Sequence, residues 1–448
     1  MPNGKMITFQ VYDNNYSIIN SMWYPRFNLA LENRLLEIKL CNNYSKVRFI
    51  LNWPTLKMNI LFLTSNYYPD LGAGSFRSKA LIDALLKKIG PNDKIEVITT
   101  TPNRYKKYSV DNINFEQRNN LIIHRINVPN YFNNNLRIIV NFLYYFYKAT
   151  TITRNKKIDI VFATSSKLMT GVLGATISKR LKAKYYLDIR DIFLSGISDV
   201  YPGFISYFLY PLLSYLEKFM IRNADKINLI SEGFIPYFRE KYPKKTYNYF
   251  TNGIDDEFIG LQNVKFNNNR NRELEILYAG NIGDGQGLSK IIPDLAIKLN
   301  NKAKFKIIGD GGDLIKLNKN LKNVVNVQTI NTMNRNELIK HYKNTDILFL
   351  HLNKFETFQS VLPSKIFEYA AIGKPIMAGI FGYSKIFLEN NINNSYIFEP
   401  CNVLDAIEKF KTIKLNLCDR SDFISTYSRN LICENMSNEI VSLYEKNK

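Results

Sequence analysis

The sequence predicts an α/β protein with two doubly wound parallel sheets that face each other across a cleft. From Met58 onward, apolar runs of strand length alternate with segments of helical spacing, the pattern typical of parallel sheets covered by helices on both faces. The alternation stops in a polar stretch, residues 251–272, and then starts again. Glycine-rich turns follow strands in both halves, and ligands of such sheets bind beyond the carboxyl ends of the strands.

The apolar runs and the break between them predict the domain boundaries. The first half is residues 58–260 and the second is 261–420, followed by a helix over 421–448 that crosses back to the first half or stays with the second. Residues 1–57 lack the alternation, and we interpret them as an extension that is disordered or starts from a codon placed too early. The predicted strands are 59–64, 94–99, 121–126, 158–163, 184–189, 226–231, 274–280, 304–310, 324–329, 346–352, 375–380 and 395–400.

Composition agrees with a folded protein of two domains. The chain has 448 residues, of which 46% are hydrophobic, with 29 Tyr and 29 Phe, so disorder of the whole chain is excluded. The net charge of +21 predicts an anionic partner: a nucleic acid, an anionic membrane surface or a phosphorylated substrate. A genomic bias toward Lys, Asn and Ile codons is an equally good explanation for part of this charge.

Cysteine usage and the start of the chain predict a cytoplasmic protein. The four cysteines have no CxxC spacing, and three histidines do not complete a zinc set, so we expect free thiols in a reducing compartment. The first 57 residues contain no basic start followed by an apolar run. The uncharged stretch 200–216 is shorter than a membrane span. We interpret it as a buried core helix, with a shallow helix on a membrane surface as the alternative.

Two candidate sites follow strands of the first half. Gly72 and Gly74 begin like a dinucleotide-binding turn, but Arg77 replaces the third glycine, which disfavours a nicotinamide site. This loop precedes a helix and either holds a phosphate or is a structural turn. Asp188 and Asp191, with Arg190 between them, end another strand, and they form a buried ion pair, a metal site or an acceptor site. The chain contains no Asp-x-Asp, so the signature of metal-dependent sugar transfer is missing.

The second half carries a denser pattern. The turn after its first strand has four glycines within eight residues, more than a tight turn needs, which favours contact with an anionic ligand. Further along, Pro363 suits the start of a short helix that Gly373 ends. Lys365 and Glu368 share one face of this helix, as a surface ion pair or as parts of a site.

Together these segments resemble the family 4 glycosyltransferases of the GT-B fold. The matching stretches include "NILFLTSNYYPDLGAGSFRSKAL", "LDIRDIF", "LYAGNIGDGQGL" and "LPSKIFEYAAIGKPI", in the family's order over residues 58–444. The likeness is greatest to the branch that makes bacterial capsule and O-antigen sugars, including fucosamine-type transferases. It implies a retaining transfer from a nucleotide-sugar, usually a UDP-sugar, without a metal or other cofactor. The second half would bind the donor, and the first half a lipid-linked or glycan acceptor.

The resemblance also implies roles for individual residues. Glu368 matches the family's ribose-binding glutamate, and Lys365 with its helix N-terminus would hold the diphosphate. Ser360 stands where the family has a further glutamate, and Asn281 and Gln286 stand where it has diphosphate-binding cations. The candidate catalytic residues are Lys365 and Asp191, the acceptor or phosphate loop contains Gly72 and Gly74, and no metal ligand is predicted. The candidate donor-binding residues are Gly280, Asn281, Gly283, Gln286, Ser360, Leu362 and Glu368.

Two other functions remain open from the sequence. A UDP-sugar epimerase would keep the fold, but the three histidines are poorly placed for its acid–base chemistry. A basic protein that binds RNA or anionic lipid would explain the charge, although no aromatic and basic RNA-binding signature is present. The predicted partners are therefore a nucleotide-sugar, a lipid-linked saccharide and an anionic membrane at its cytoplasmic face, and not a nucleic acid.

Overall fold

The computed structural model describes residues 9–12, 18–22, 57–70, 72–102, 114–128, 135–165, 167–195, 203–261 and 272–445. Its contacts divide the chain into two units, Met1–Lys57 and Met58–Lys448. In the first unit, β1 (Phe9–Tyr12) pairs antiparallel with β2 (Ile18–Met22). The prediction for residues 1–57 otherwise lies outside the described residues, and everything below concerns the second unit.

The first sheet of this unit has the order β10-β9-β8-β7-β3-β4-β6-β5 in the described part of the chain. Its strands are parallel except for β5, which forms an antiparallel hairpin with β6. The central strands are apolar along their length because helices cover both faces. The strands are β3 (Asn59–Leu63), β4 (Lys94–Thr100), β5 (Phe115–Arg118), β6 (Leu121–Ile126), β7 (Ile160–Ser165), β8 (Lys184–Ile189), β9 (Lys226–Leu229) and β10 (Tyr247–Asn248).

The second sheet has the order β13-β12-β11-β14-β15-β16, with every pair parallel. In chain order this is 3-2-1-4-5-6, the doubly wound arrangement of nucleotide-binding sheets. Each of the twelve predicted apolar runs overlaps a strand, and the predicted fold class is confirmed. The strands are β11 (Leu274–Asn281), β12 (Ala303–Asp310), β13 (Val327–Ile330), β14 (Ile347–His351), β15 (Ile376–Gly379) and β16 (Ser395–Phe398).

Helices pack on both sheets. Those that follow first-sheet strands are α1 (Ala73–Lys88), α2 (Asn135–Ile152), α3 (Leu168–Leu181), α4 (Gly203–Asn223) and α5 (Ile235–Lys241). Those that follow second-sheet strands are α6 (Leu288–Lys298), α7 (Leu314–Asn320), α8 (Arg335–Asn344), α9 (Lys365–Ile372), α10 (Gly382–Asn391) and α11 (Val403–Thr412), and the chain continues with α12 (Ser421–Tyr427) and α13 (Arg429–Glu445).

The last helix packs against the first sheet, although the second sheet precedes it in the chain. Cys433, Met436 and Ile440 of α13 belong to the same core as Ile60 of β3 and Leu81 of α1. The chain thus passes between the halves twice, and the two passages lie side by side where Ile254 pairs with Ser428. The Arg429 side chain donates to the Gly253 carbonyl at 3.0 Å and ties the passages together.

A buried ion pair anchors the first passage to the first sheet. Asp188 is 1% exposed, and it accepts hydrogen bonds from Arg77 (3.3 Å) and Asn228 (2.7 Å). The same two side chains donate to the Phe250 carbonyl. Of the alternatives for residues 188–191, the buried ion pair therefore holds for Asp188, and its partner is Arg77 of α1. This network keeps the carboxyl ends of β8 and β9 close to the connection between the sheets.

The interpretation of the stretch 200–216 as a buried core helix is wrong. From Gly203 it is the first part of α4, and several of its aromatic side chains face solvent: Tyr207 and Phe208 are both 76% exposed. Only the later turns are buried, through Met220 and Ile221. A helix that is apolar all round gives no period from which its outer face can be read. None of the described helices is long and apolar enough to cross a bilayer.

Candidate active site

A cavity of about 600 Å³ lies between the two sheets. In each sheet the direction of winding reverses beside its first strand, between β3 and β7 and between β11 and β14. Residues at or beyond the carboxyl ends of all four strands line the cavity, for example Thr64, Lys167, Asn281 and Leu352. Both topological switch points, the usual ligand sites of such sheets, thus open into one space.

The short helix α9 brings its first residue into this cavity. Ser364 is the N-cap, Lys365 is the first helical residue, and Gly373 ends the helix in the left-handed conformation (φ 78°). The predicted stop is confirmed, whereas the helix begins two residues after Pro363, which lies just before the N-cap. The Lys365 side chain lies across Gly280, where a Cβ atom would overlap its Cε and Nζ. Gly280 also has φ of +150°, so only glycine both fits this backbone and leaves room for the lysine.

The glycine-rich turn after β11 is held by its own side chains and by His351. The Oε1 atom of Gln286 accepts from Asn281 Nδ2 (2.7 Å) and from the Gly283 N–H (3.1 Å). His351 donates from Nδ1 to the Gln286 carbonyl (2.7 Å) and accepts at Nε2 from the Cys401 N–H (2.9 Å). Burial lowers the pKa of His351 to about 4. The ring is therefore neutral and positions the turn without acting as a base at neutral pH.

Glu368 lies one turn beyond Lys365 and is held from two sides. Its Oε2 accepts from the hydroxyl of the buried Tyr342 at 3.2 Å, and its Oε1 is 3.8 Å from Arg335 Nη2. Arg335 also forms an ion pair with Asp255, and its guanidinium stacks on Phe76 of the first half, 4.1 Å from the ring centre. The carboxylate is thus fixed and partly neutralised at the wall of the cavity.

The first half contributes one carboxylate to the cavity. Asp191 follows β8, and its side chain lines the cavity. Desolvation by the walls of the cleft raises the pKa of Asp191 to about 6, although the positive charge of Arg190 acts to lower it. Asp191 is thus separate from Asp188, which is buried in the ion pair with Arg77. The carboxyl group of Asp191 is ionised at neutral pH and is available to accept a hydrogen bond or a proton.

A family model described as "Glycosyl transferases group 1" matches residues 262–429. The second half of the chain is therefore a glycosyltransferase domain. The match includes the glycine-rich turn, Lys365, Glu368 and Arg335, and it confirms the predicted class of enzyme. No curated protein sequence matches the chain significantly.

Solved structures share the fold of both halves. The α,α-trehalose-phosphate synthase (UDP-forming) of Burkholderia xenovorans, in complex with glucose-6-phosphate, has a TM-score of 0.62 at 10% identity and covers 86% of this chain and 100% of its own. The lipopolysaccharide outer core galactosyltransferase WaaB has a TM-score of 0.55 at 13% identity, and the match covers 86% of this chain and 99% of WaaB. Anabaena HepE in complex with UDP has a TM-score of 0.51 at 13% identity, and the match covers 87% of this chain and 98% of HepE. At these identities the likeness is one of fold, and the fold is GT-B.

The structure gathers most of the candidate residues around the cavity of this glycosyltransferase fold. Gly283 and Ser360 are the two that do not line it: Gly283 lies within the turn, and the Ser360 carbonyl accepts from Ser231 Oγ of the first half at 2.6 Å. The candidates that line the cavity are Gly72, Gly74, Asp191, Gly280, Asn281, Gln286, Leu362, Lys365 and Glu368.

Sequence reasoning missed two cations at the cavity. Arg335 of the glycosyltransferase domain begins a polar helix, where it has the pattern of a solvent-exposed residue, and only the tertiary structure brings it to Glu368. Lys167 follows β7 of the first half and lines the cavity. Its position directly after a buried strand, at a helix start, was the one signal available.

Proposed function

We propose that the protein is a retaining glycosyltransferase that moves a sugar from a nucleotide-sugar, a UDP-sugar, to a lipid-linked or glycan acceptor in cell-surface polysaccharide biosynthesis. The observation that carries this proposal is the cavity itself. There the glycine-rich turn, Lys365 and Glu368 of the glycosyltransferase domain face Asp191 and the Gly72 loop of the first half. The UDP bound to HepE and the lipopolysaccharide role of WaaB support the donor and the acceptor class.

In this proposal the second half holds the nucleotide. Lys365 and the N–H groups at the start of α9 would bind the diphosphate, because a helix N-terminus favours an anion. Glu368, already oriented by Tyr342, would accept hydrogen bonds from the ribose hydroxyls. Asn281 and Gln286 contribute no charge, and their mutual hydrogen bond keeps the glycine-rich turn in place.

The reaction would proceed on one face of the donor sugar. The acceptor oxygen forms a bond to the anomeric carbon on the side from which the diphosphate leaves with the bonding electrons, so the configuration is retained. Lys365 stabilises the negative charge that grows on the leaving oxygen. Asp191 takes the proton of the acceptor hydroxyl. We propose that Lys365 supplies this charge stabilisation without a metal ion; the described residues contain no group of three or more His, Cys, Asp or Glu side chains that could hold one.

A screen of nucleotide-sugars tests the proposed reaction. We expect the purified protein to release UDP from one UDP-sugar in the panel, faster when a lipid-linked acceptor is added, and equally well in EDTA. An epimerase would instead change the sugar and release UDP independently of acceptor. Turnover that stops in EDTA and returns with Mn²⁺ or Mg²⁺ would contradict the metal-free mechanism. The absence of binding to every nucleotide-sugar would contradict the proposed function altogether.

We also propose that α4 attaches the protein to the cytoplasmic face of an anionic membrane. The exposed Tyr207 and Phe208 supply an apolar contact, and Lys218 and Arg222 lie exposed further along the same helix. Each Lys or Arg near an anionic membrane surface contributes about 1 kcal/mol to the free energy of binding to that surface. A lipid-linked acceptor would then reach the cavity from the membrane.

Sedimentation with anionic vesicles tests this attachment. We expect the double variant Tyr207→Ser, Phe208→Ser to bind about tenfold more weakly than the wild type, because each aromatic loses a contact with lipid. Phe115→Ser is the matched control, since Phe115 is 53% exposed on the edge strand β5. A wild-type protein that stays in the supernatant at low salt would exclude the proposed attachment.

A further inference from the structure

Two cations in the first half have no role in the proposed donor site. Lys167 follows β7 and Arg190 follows β8, and both line the cavity. The strands β3, β7 and β8 are neighbours in the sheet, so the residues beyond their carboxyl ends lie at one edge. This edge is the switch point of the first sheet, across the cavity from Lys365.

Neither cation has a close partner. The side chains of Lys167 and Arg190 form no ion pair or hydrogen bond with any residue that the structure describes, whereas the nearby Arg77 is paired with Asp188. Asp188 is also hydrogen-bonded to Asn228 and acts on Arg190 through its charge, without a direct contact. Asp191 faces the same cavity as Arg190 and, less strongly than Asp188, balances part of its charge. Desolvation in the cleft lowers the pKa of Lys167 and of Arg190, so an anion bound beside them would stabilise their charged forms.

The helix starts at this edge also lack negative charge. Gly72 caps α1 and Lys167 caps α3, neither by a side-chain hydrogen bond, and neither first turn contains an acidic residue. The guanidinium of Arg190 lies over the first turn of α1, with Nη1 2.5 Å from the position that a Cβ atom of Gly74 would occupy. Two cations and the N–H groups of a long helix thus converge where the cavity is open.

We propose that Lys167, Arg190 and the first turn of α1 bind a phosphate or diphosphate group carried by the acceptor. The inference rests on the proposed function, which assigns the diphosphate of the donor to Lys365 in the other half. The planar guanidinium of Arg190 suits two-point contact with phosphate oxygens, and Lys167 adds a second charge. The acceptor is therefore a phosphorylated saccharide, either a free sugar phosphate or a saccharide joined through diphosphate to a lipid.

Calorimetric titration of inorganic pyrophosphate into the full chain saturated with UDP tests the site. We expect pyrophosphate to bind while UDP stays bound, and Lys167→Gln and Arg190→Gln each to weaken it about tenfold or more without changing the affinity for UDP. Lys365→Gln should weaken the binding of UDP and leave the affinity for pyrophosphate unchanged. Pyrophosphate that only displaces UDP, or variants that lose UDP and pyrophosphate equally, would overturn the proposal by assigning these cations to the donor.

Gly74→Ala provides a variant that keeps every charge. Its methyl group would push Arg190 aside, so pyrophosphate should again bind more weakly, and Gly203→Ala is the matched control because nothing lies within 4 Å of its added Cβ. Unchanged binding in Gly74→Ala would contradict the position assigned to Arg190. If UDP itself fails to bind, the proposed donor is wrong, and pyrophosphate titrated alone still tests the anion site.

Competition distinguishes the two sources of the phosphate. Displacement of pyrophosphate by farnesyl diphosphate at lower concentration than by glucose 6-phosphate would indicate a lipid-linked diphosphate. Equal displacement would indicate that the phosphate group alone is recognised. Displacement by neither compound would overturn the assignment to an acceptor.

Discussion

The variant Lys365→Ala is expected to lower kcat by about 10²–10³. Lys365 is the first residue of α9, where the aligned N–H groups already disfavour a cation unless an anion joins it. Its side chain is held across Gly280, a position that only glycine permits. A charge placed in this way interacts most strongly when the leaving oxygen becomes fully negative, so its loss affects the chemical step.

The companion variant Glu368→Gln should mainly raise the dissociation constant of the donor, because contacts to the ribose change little during transfer. Steady-state kinetics and donor titration separate the two effects. Lys385→Ala on α10 is the control, since this lysine is 51% exposed and pairs with Glu389 in the next turn. Near-wild-type values for both Lys365→Ala and Glu368→Gln would reduce α9 to ordinary structure.

The variant Asp191→Asn should lower kcat/KM by about 10²–10⁴ at neutral pH, the usual contribution of a general base. Asp191 lies in the cavity with its pKa raised to about 6 by desolvation. As the pH falls through about 6, its carboxylate takes up a proton and can no longer accept one from the acceptor. The activity of the wild type should therefore be full above this pH and decline below it.

The pH profile of kcat/KM checks this assignment, because it reports the groups of the free enzyme. In Asp191→Asn the decline near pH 6 should disappear. In Asp83→Asn, a control on α1 whose carboxylate is 48% exposed, it should persist. A decline that remains in Asp191→Asn would show that another group titrates and that Asp191 has no part in proton transfer.

The pattern of apolar residues was sufficient to predict the buried strands but not the edge strands. Buried parallel strands such as β3 and β11 are continuous apolar runs bounded by turn residues, which is a local signal. The edge strands β5 and β10 were missed because their residues, "FEQR" and "YN", are polar or too few to form a pattern. The aromatic face of α4 was misassigned because burial depends on which helices happen to lie beside it.

The residues of the candidate site also divide into those with a local signal in the sequence and those that only the tertiary structure identifies. Lys365 and Glu368 stand in a segment with its own start and stop residues, so their common face followed from helical geometry. Arg335 lies more than thirty positions from Glu368 in the chain, and nothing local distinguishes it from the other polar residues of α8. Asp188 and Asp191 have the same residue type and neighbourhood in the sequence. Only the packing of Arg77 assigns one to an ion pair and leaves the other in the cavity.

The return of α13 to the first sheet has a consequence for synthesis of the chain. The core around Ile60 and Leu81 is completed by Met436 and Ile440, which leave the ribosome after the whole second sheet. Until then α1 has no cover over that part of its apolar face. The half that is made first therefore finishes packing last, and its contacts span more than 350 residues of sequence, which slows folding through the entropy of closing so long a loop.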